Sequence, residues 1–243
     1  KRSKNGLQTP LKRYNGTNDR NGSRYTGGRF VLERMTYMEP LEKLYKELTR
    51  QTKQIERDLD MPYLEALTTV IDRLNDRHTE NVDKEVIRKA VSLAILEGMK
   101  QAQPNHLPTP DSVALFAGYL IGKLVGKEDI RLLELGSGTG GMLHAVLSQL
   151  STGTSAEAVE VDETLIRLSA AVTELLDYPV TYTHQDALRP LLLDPVDLAM
   201  ADLPVGYYPD EEAAASYILK RDEGMSYSHF LLIEQAMQYV KPG

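Results

Sequence analysis

The apolar positions of this chain follow two regimes, separated by a proline-rich break. Between Met38 and Gln103 they recur at helical spacing: Leu41, Leu44, Tyr45 and Leu48, with Ile55 and Leu59, then Leu64, Leu67, Val70, Ile71 and Leu74, then Val86, Ile87, Ala90, Val91, Ala94 and Ile95. That period predicts three or four amphipathic helices forming a small helical domain over 38–103, their charged residues making solvated faces. The pattern leaves open whether such a domain caps a cofactor, mediates dimerisation or holds substrate. After Gln103-Pro104-Asn105-His106-Leu107-Pro108, short apolar runs alternate with helical stretches. Strands are expected at about 130–135, 156–161, 180–183 and 196–201, with helices between the first three and at about 227–240. The alternation predicts an α/β domain with a parallel sheet over 104–243. Thr109-Pro110-Asp111 opens a further helix carrying Val113, Leu115, Phe116, Tyr119 and Leu120, with Thr109 as its cap and Pro110 in the first helical position. The turn signal Lys241-Pro242-Gly243 stands where another strand should follow, so the sheet is expected to be incomplete at its C-terminus.

Residues 1–37 carry neither period, and their Gly, Asn, Arg, Ser and Thr content reads as a disordered leader or non-native sequence ahead of Met35 or Met38. A basic arm for RNA or an acidic partner is the functional alternative, because 1–34 holds nine of the 28 Lys and Arg and two of the 35 Asp and Glu. The rest is acidic, with 19 basic against 33 acidic residues. Such a body repels phosphate backbones unless it hides a basic groove, so nucleic acid stays possible as a partner without support from net charge. With no cysteine in 243 residues, disulfides and thiolate zinc sites are excluded, and no metal is expected. No run of about 18 apolar residues could span a bilayer, and no signal peptide opens the chain, so a cytoplasmic protein is expected. Oligomeric state cannot be read from the pattern.

The strongest local signal is Leu132-Leu133-Glu134-Leu135-Gly136-Ser137-Gly138-Thr139-Gly140-Gly141, an apolar strand running into a glycine-rich turn and a helix. Glycines there let backbone approach a ligand. Nicotinamide and flavin enzymes use related turns, and an ordinary tight strand-to-helix turn is the plainer alternative. Glu134, charged and just before the turn, favours a methyltransferase, where it pairs with the amino-acid end of the cofactor or orders the loop. About 20 residues on, the second strand ends in Glu160-Val161-Asp162, the distance at which an acid accepts hydrogen bonds from ribose hydroxyls. Glu160 takes that role, Val161 packs on adenine, and Asp162 is read as a helix N-cap. After the third strand, Asp186-Ala187 offers an acceptor for the adenine amino group, and His184 is read as a loop histidine. The fourth strand leads into Asp202-Leu203-Pro204-Val205-Gly206-Tyr207-Tyr208. Asp202 and the Leu203 carbonyl are candidates to accept from an amino group that attacks a methyl, with Tyr207 or Tyr208 stacking on a planar substrate; a surface loop with two packed tyrosines is the alternative.

Together these segments resemble the class I S-adenosylmethionine-dependent methyltransferases, in particular the DNA adenine-N6 type and its YtxK-like bacterial branch. The resemblance covers about residues 105–243. It implies a Rossmann-like sheet, S-adenosylmethionine as cofactor, Thr109-Pro110 as an early cofactor-contacting segment, Gly136-Ser137-Gly138-Thr139-Gly140 as the methionine-binding loop, Glu160 on the ribose and Asp186 on the adenine. Asp202-Leu203-Pro204-Val205 stands where that family has (Asn or Asp)-Pro-Pro-(Tyr or Phe). Leu203 replaces a proline that acts through its carbonyl, whereas Val205 replaces the aromatic that clamps a flipped base. The expected activity is N-methyl transfer, with a cofactor-binding protein that has lost catalysis as the alternative favoured by Val205. A nicotinamide-dependent oxidoreductase fits less well, since Gly140 intervenes within the G-x-G-x-x-G spacing.

Overall fold

The computed structural model describes residues 27–76, 82–101, 107–126 and 128–242, without the side chains of 27–37 and 101. Residues 1–26 of the expected leader and 103–106 of the expected break lie outside the described residues. The chain divides into two compact units, residues 1–36 and 37–243. Helix α1 (Gly27–Leu59) begins within the stretch assigned above to an unstructured leader, which corrects that expectation for 27–37. The physical reason is cooperativity: once a helix is nucleated, each added residue costs little, and nothing in Phe30-Val31-Leu32-Glu33-Arg34 stops it.

Within the second unit, α2 (Tyr63–Asn75) and α3 (Lys84–Gly98) complete the helical region. Asp83 caps α3 by accepting from the amides of Glu85 and Val86. The apolar stripe of α2, Ala66, Leu67, Val70 and Ile71, packs with Val91 and Ile95 of α3 and with Leu168, Val172 and Leu176 of α6 (Glu163–Leu176). Each fully buried Leu, Val or Ile among them contributes about 1.5–3 kcal/mol. The helical region and the sheet domain therefore share one core.

The sheet consists of β1 (Arg131–Leu135), β2 (Ser155–Glu160), β3 (Val180–His184) and β4 (Leu198–Met200), all parallel, in the order β3-β2-β1-β4. These are the four expected strands. Leu132, Leu133 and Leu135 are apolar in succession because both faces of β1 are covered. On one face Leu132, Ala156 and Ala158 pack with Ile121 of α4 (Asp111–Val125) and with Leu143 and Val146 of α5 (Gly141–Leu147). On the other, Leu133, Leu135 and Val159 meet Leu231 and Leu232 of a later helix, Ser228–Tyr239. Between them and β4 lie two short helices that no apolar period announced, α7 (Glu211–Ala214) and α8 (Ile218–Glu223), which makes Ser228–Tyr239 α9. Tertiary partners pin them: Tyr217 donates its hydroxyl to the Leu188 carbonyl at 2.8 Å, and Glu234 accepts from the amides of Ile218 and Leu219. Among the described residues no helix is long and apolar enough to cross a membrane.

Candidate functional site

Chain order reverses between β1 and β4, and the carboxyl ends of the strands on either side of such a switch point border a crevice. The glycine turn fills one wall. The amides of Gly136 and Ser137 donate to the Val159 carbonyl at 2.9 and 3.0 Å, laying the turn across the end of β2. Gly136, Gly138 and Gly140 all have positive φ. Gly140 is the position with least choice, since a Cβ there would collide with Ser169 Oγ and lie 2.6 Å from His144 Cε1. Those two side chains belong to a buried chain of hydrogen bonds behind the turn, in which His144 Nε2 meets Thr173 Oγ1 at 2.8 Å and the Tyr182 hydroxyl bonds to Thr173 and Ser169, both at 2.6 Å. Burial, with a smaller contribution from the nearby Arg88 charge, lowers the His144 pKa to about 3, so the ring is neutral at pH 7. His144 was absent from the expected site; a lone histidine in an apolar helix gives no sign in sequence of what it packs behind.

Above the turn opens a cavity of about 590 Å³. Its lining includes Thr109, Glu134, Gly136, Ser137, Gly138, Glu160, Val161, Asp186, Ala187, Asp202, Leu203, Pro204 and Tyr208 from the expected set. Thr139, within the expected loop, also lines it, whereas Leu107, Pro108, Gly141, Met142, Ser228 and Leu232 were not singled out from sequence, although Pro108 and Gly141 adjoin residues that were. Three expected residues, Pro110, Gly140 and Tyr207, do not line it; the first two instead shape their segments.

Four carboxylates, Glu134, Glu160, Asp186 and Asp202, line this cavity, and among its described lining residues there is no Lys or Arg. Glu160 accepts at Oε2 from the Gly138 amide at 2.7 Å and at Oε1 from the amides of Val161 and Asp162 at 2.8 and 2.9 Å. It therefore ties the turn to the end of β2 and keeps one acceptor site on Oε2. Asp162 caps α6 through the Leu165 amide, as its position in the sequence implied. Glu134 is wholly buried, and its Oε2, like Ser137 Oγ, has no hydrogen-bond partner in the structure. Burial, and then the charges of Glu160 and Asp202, push its pKa well above the usual carboxylate range. A carboxyl held that way accepts a cationic donor readily, because the incoming charge relieves both the burial and the repulsion. A pyrophosphate would meet the opposite field.

The third wall runs on from β4. Asp202 Oδ2 accepts from Thr109 Oγ1 at 2.6 Å. Thr109 was expected to cap α4, yet the N-cap is Pro110, with no side-chain capping bond, and the threonine hydroxyl points across to the carboxylate. A charged acceptor makes the stronger bond, which is why the threonine leaves the helix end. Tyr207 and Tyr208 part company. Tyr208 is 7% exposed and donates its hydroxyl to Asp186 Oδ2 at 2.8 Å, so its ring forms cavity wall rather than a free stacking platform. Asp186 also accepts from the Leu188 amide at 2.9 Å. Tyr207, 57% exposed, does not line the cavity and lies edge-on to Tyr227, their centroids 6.5 Å apart. Tyr227 in turn contacts His229 and Phe230. Val205 lies at the cavity wall, 75% exposed. His184 is an exposed residue at the end of β3, bonded to the Val161 carbonyl.

No family model matches the chain. Uncharacterised protein YtxK of Bacillus subtilis (strain 168) is 37% identical over 226 residues, 82% of this chain and 69% of the relative. A Listeria monocytogenes protein designated a class I S-adenosylmethionine-dependent methyltransferase is 36% identical and superposes with a TM-score of 0.77, over 84% of this chain and 71% of that one. The methyltransferase subunit of a type I restriction-modification system from Streptococcus thermophilus shares the fold, with a TM-score of 0.54 at 14% identity over 66% of this chain and 39% of that one. With the parallel sheet, the glycine turn and the acidic crevice in place, these likenesses show that the chain belongs to the class I S-adenosylmethionine-dependent methyltransferase family, in the branch that contains YtxK.

Proposed function

We propose that the chain binds S-adenosylmethionine in the acidic cavity and transfers its methyl group to an exocyclic amino group presented to Asp202. The observation that carries this reading is the charge of the cavity: four carboxylates, one of them buried with an unpaired oxygen, and no basic side chain among the described lining residues. S-adenosylmethionine brings a sulfonium and an ammonium, the two cations such a site lacks, whereas the pyrophosphate of a dinucleotide would be repelled. Glu134 Oε2 and the turn from Gly136 to Gly138 suit the amino-acid end of the cofactor, the free acceptor capacity of Glu160 suits the ribose hydroxyls, and Val161 with Asp186-Ala187 suits the adenine.

When bound, the cofactor supplies an electrophilic methyl on a sulfonium sulfur. The work left to the protein is positioning, which lowers the barrier by removing the entropy of encounter. Asp202 and the Leu203 carbonyl accept N–H bonds from the acceptor amine and turn its lone pair toward the methyl. Transfer would form the N–C bond as the S–C bond breaks, with S-adenosylhomocysteine leaving, and the acceptor nitrogen's proton would pass to solvent or to the Asp202 carboxylate, so the balance requires no metal. Exposed rings at Tyr207, Tyr227 and Phe230 favour a planar acceptor, and an adenine amino group in nucleic acid is the acceptor this reading favours.

Calorimetric titration with S-adenosylmethionine, with NAD as control, tests the cofactor: saturable binding of the first alone, abolished in Glu160→Ala, is expected, and binding of NAD instead would overturn it. For the reaction, Asp202→Ala should keep cofactor affinity and lose methyl transfer to adenine-containing DNA. A second reading, a cofactor-binding protein without catalysis, is favoured by the aliphatic, exposed Val205 at the acceptor wall. It predicts the same titration with no transfer to any amine.

A further inference from the structure

Arg88 of α3 is the largest of the fully buried side chains, 2% exposed, in a helix otherwise buried through Val, Ile and Ala. A buried guanidinium persists only when its donors are met. Glu85, one turn earlier, takes Nε and NH2 at 2.6 and 2.8 Å, a local pair within α3. The remaining arm reaches outside the helix, NH1 donating to Asp111 Oδ1 at 2.6 Å. Asp111 is the first residue of α4, two residues beyond Thr109, whose hydroxyl donates to Asp202.

What lies between the two bonds decides whether they communicate. The segment reads Leu107-Pro108-Thr109-Pro110-Asp111, and each proline fixes its own φ and confines the residue before it to extended backbone. Pro110 itself has φ −55 and ψ 132. A segment with so few soft dihedrals behaves as a strut, so a clamp at Asp111 sets where the Thr109 hydroxyl stands. Leu107, Pro108 and Thr109 also line the cavity, which makes the strut a part of its wall.

We propose that Arg88 is a positioning residue for Asp202: by clamping Asp111 it holds the proline strut so that Thr109 orients the Asp202 carboxylate toward the acceptor. The helical region thereby takes part in the site without touching the ligand. This rests on the reading of Asp202 given above. Thr109 occupies one carboxylate oxygen, Oδ2, and leaves Oδ1 free for the acceptor amine; without the clamp, that assignment relaxes.

The test uses two probes that differ at the reacting centre, S-adenosylhomocysteine, with a thioether, and sinefungin, with an amine-bearing carbon in place of the S-methyl group. The amine of sinefungin probes the Asp202 carboxylate, and the ratio of the two affinities cancels any general loss of folding or pocket shape. In the full chain, Asp111→Ala leaves Arg88 paired with Glu85 but one buried donor unmet, so the thermal midpoint should fall while the chain stays folded at 25 °C, a general loss that the ratio cancels. The substitution is expected to weaken sinefungin about tenfold while S-adenosylhomocysteine stays within about twofold, as for one weakened hydrogen bond to a charged group. Arg88→Lys, which keeps the charge but not the fork, should move the ratio in the same direction, and adding Asp111→Ala to Thr109→Val should cause no further change. A ratio unchanged in Asp111→Ala, with Asp202→Asn lowering it, overturns the relay and leaves the reading of Asp202 standing. If Asp202→Asn also leaves the ratio unchanged, or neither probe binds the unmodified chain, the reading of the site has failed and the relay with it.

Discussion

Glu134 shows how one residue couples stability to ligand charge. Its pKa is raised in the folded protein by burial and by Glu160 and Asp202, so the folded state holds a proton that the unfolded chain releases near the usual value of 4.5. Stability contributed by that proton is present at low pH and lost as pH rises from about 4.5 through the raised folded value. Glu134→Gln should therefore raise the thermal midpoint of the ligand-free protein at pH 7.5 relative to pH 5 and weaken S-adenosylmethionine, seen by scanning calorimetry and titration; an unchanged affinity would remove Glu134 from the cofactor site. Gly140 carries a different constraint, since φ is +75° and a Cβ would collide with Ser169 and His144. Gly140→Ala is expected to cost about 1–3 kcal/mol in urea denaturation, because strain and overpacking add. Gly136 and Gly138 also have positive φ, but a Cβ there would meet no protein atom within 4 Å, so at these two positions backbone conformation, not protein packing, calls for glycine.

Among the elements, α5, α6 and β3 are joined by the buried His144, Thr173, Tyr182 and Ser169 network behind the glycine turn. Here the linkage has the other sign. With the folded His144 pKa near 3 and the ordinary value at 6.5, the unfolded chain takes up a proton first as pH falls. Stability declines between those values, by up to about 1.4 kcal/mol per pH unit. The fall in thermal midpoint from pH 6.5 to 5, a window above most carboxylate titrations, should be shallower in His144→Gln; equal slopes would mean that the ring is hydrated or charged in the folded state. The parallel strands β1 to β4 and helices α2, α3, α4, α6 and α9 were legible from the apolar pattern, because the inner strands of a parallel sheet are mostly apolar and a half-buried helix must carry one apolar stripe. Helices α7 and α8 were not, since the Asp210 cap on α7 and the tertiary hydrogen bonds of Glu234 and Tyr217 at α8 supply what an apolar stripe would otherwise supply.

At the scale of the whole molecule, charge is the organising quantity. The chain carries a formal −7, and its cavity concentrates four carboxylates without a described basic partner. S-adenosylmethionine, with one more positive charge than S-adenosylhomocysteine, should bind more tightly, and the preference should shrink as NaCl rises from 0.05 to 0.5 M, roughly as the Debye length falls from about 14 to 4 Å. A preference insensitive to salt would place the discrimination in local contacts. Period and spacing by themselves determined the element types, the strand order along the chain, the glycine turn and the acids at the ends of β2 and β4, because each is a local rule about burial or about reach from a turn. Only the tertiary structure decided which partner each polar group takes. Thr109 leaves a helix cap for Asp202, Tyr208 turns inward to Asp186 while Tyr207 joins Tyr227, and Arg88 reaches from the helical region to Asp111. Those choices depend on groups 20 to 93 residues apart being brought together by the fold, and where they are buried an unpaired donor or charge is too costly to leave; no spacing in the sequence records that proximity.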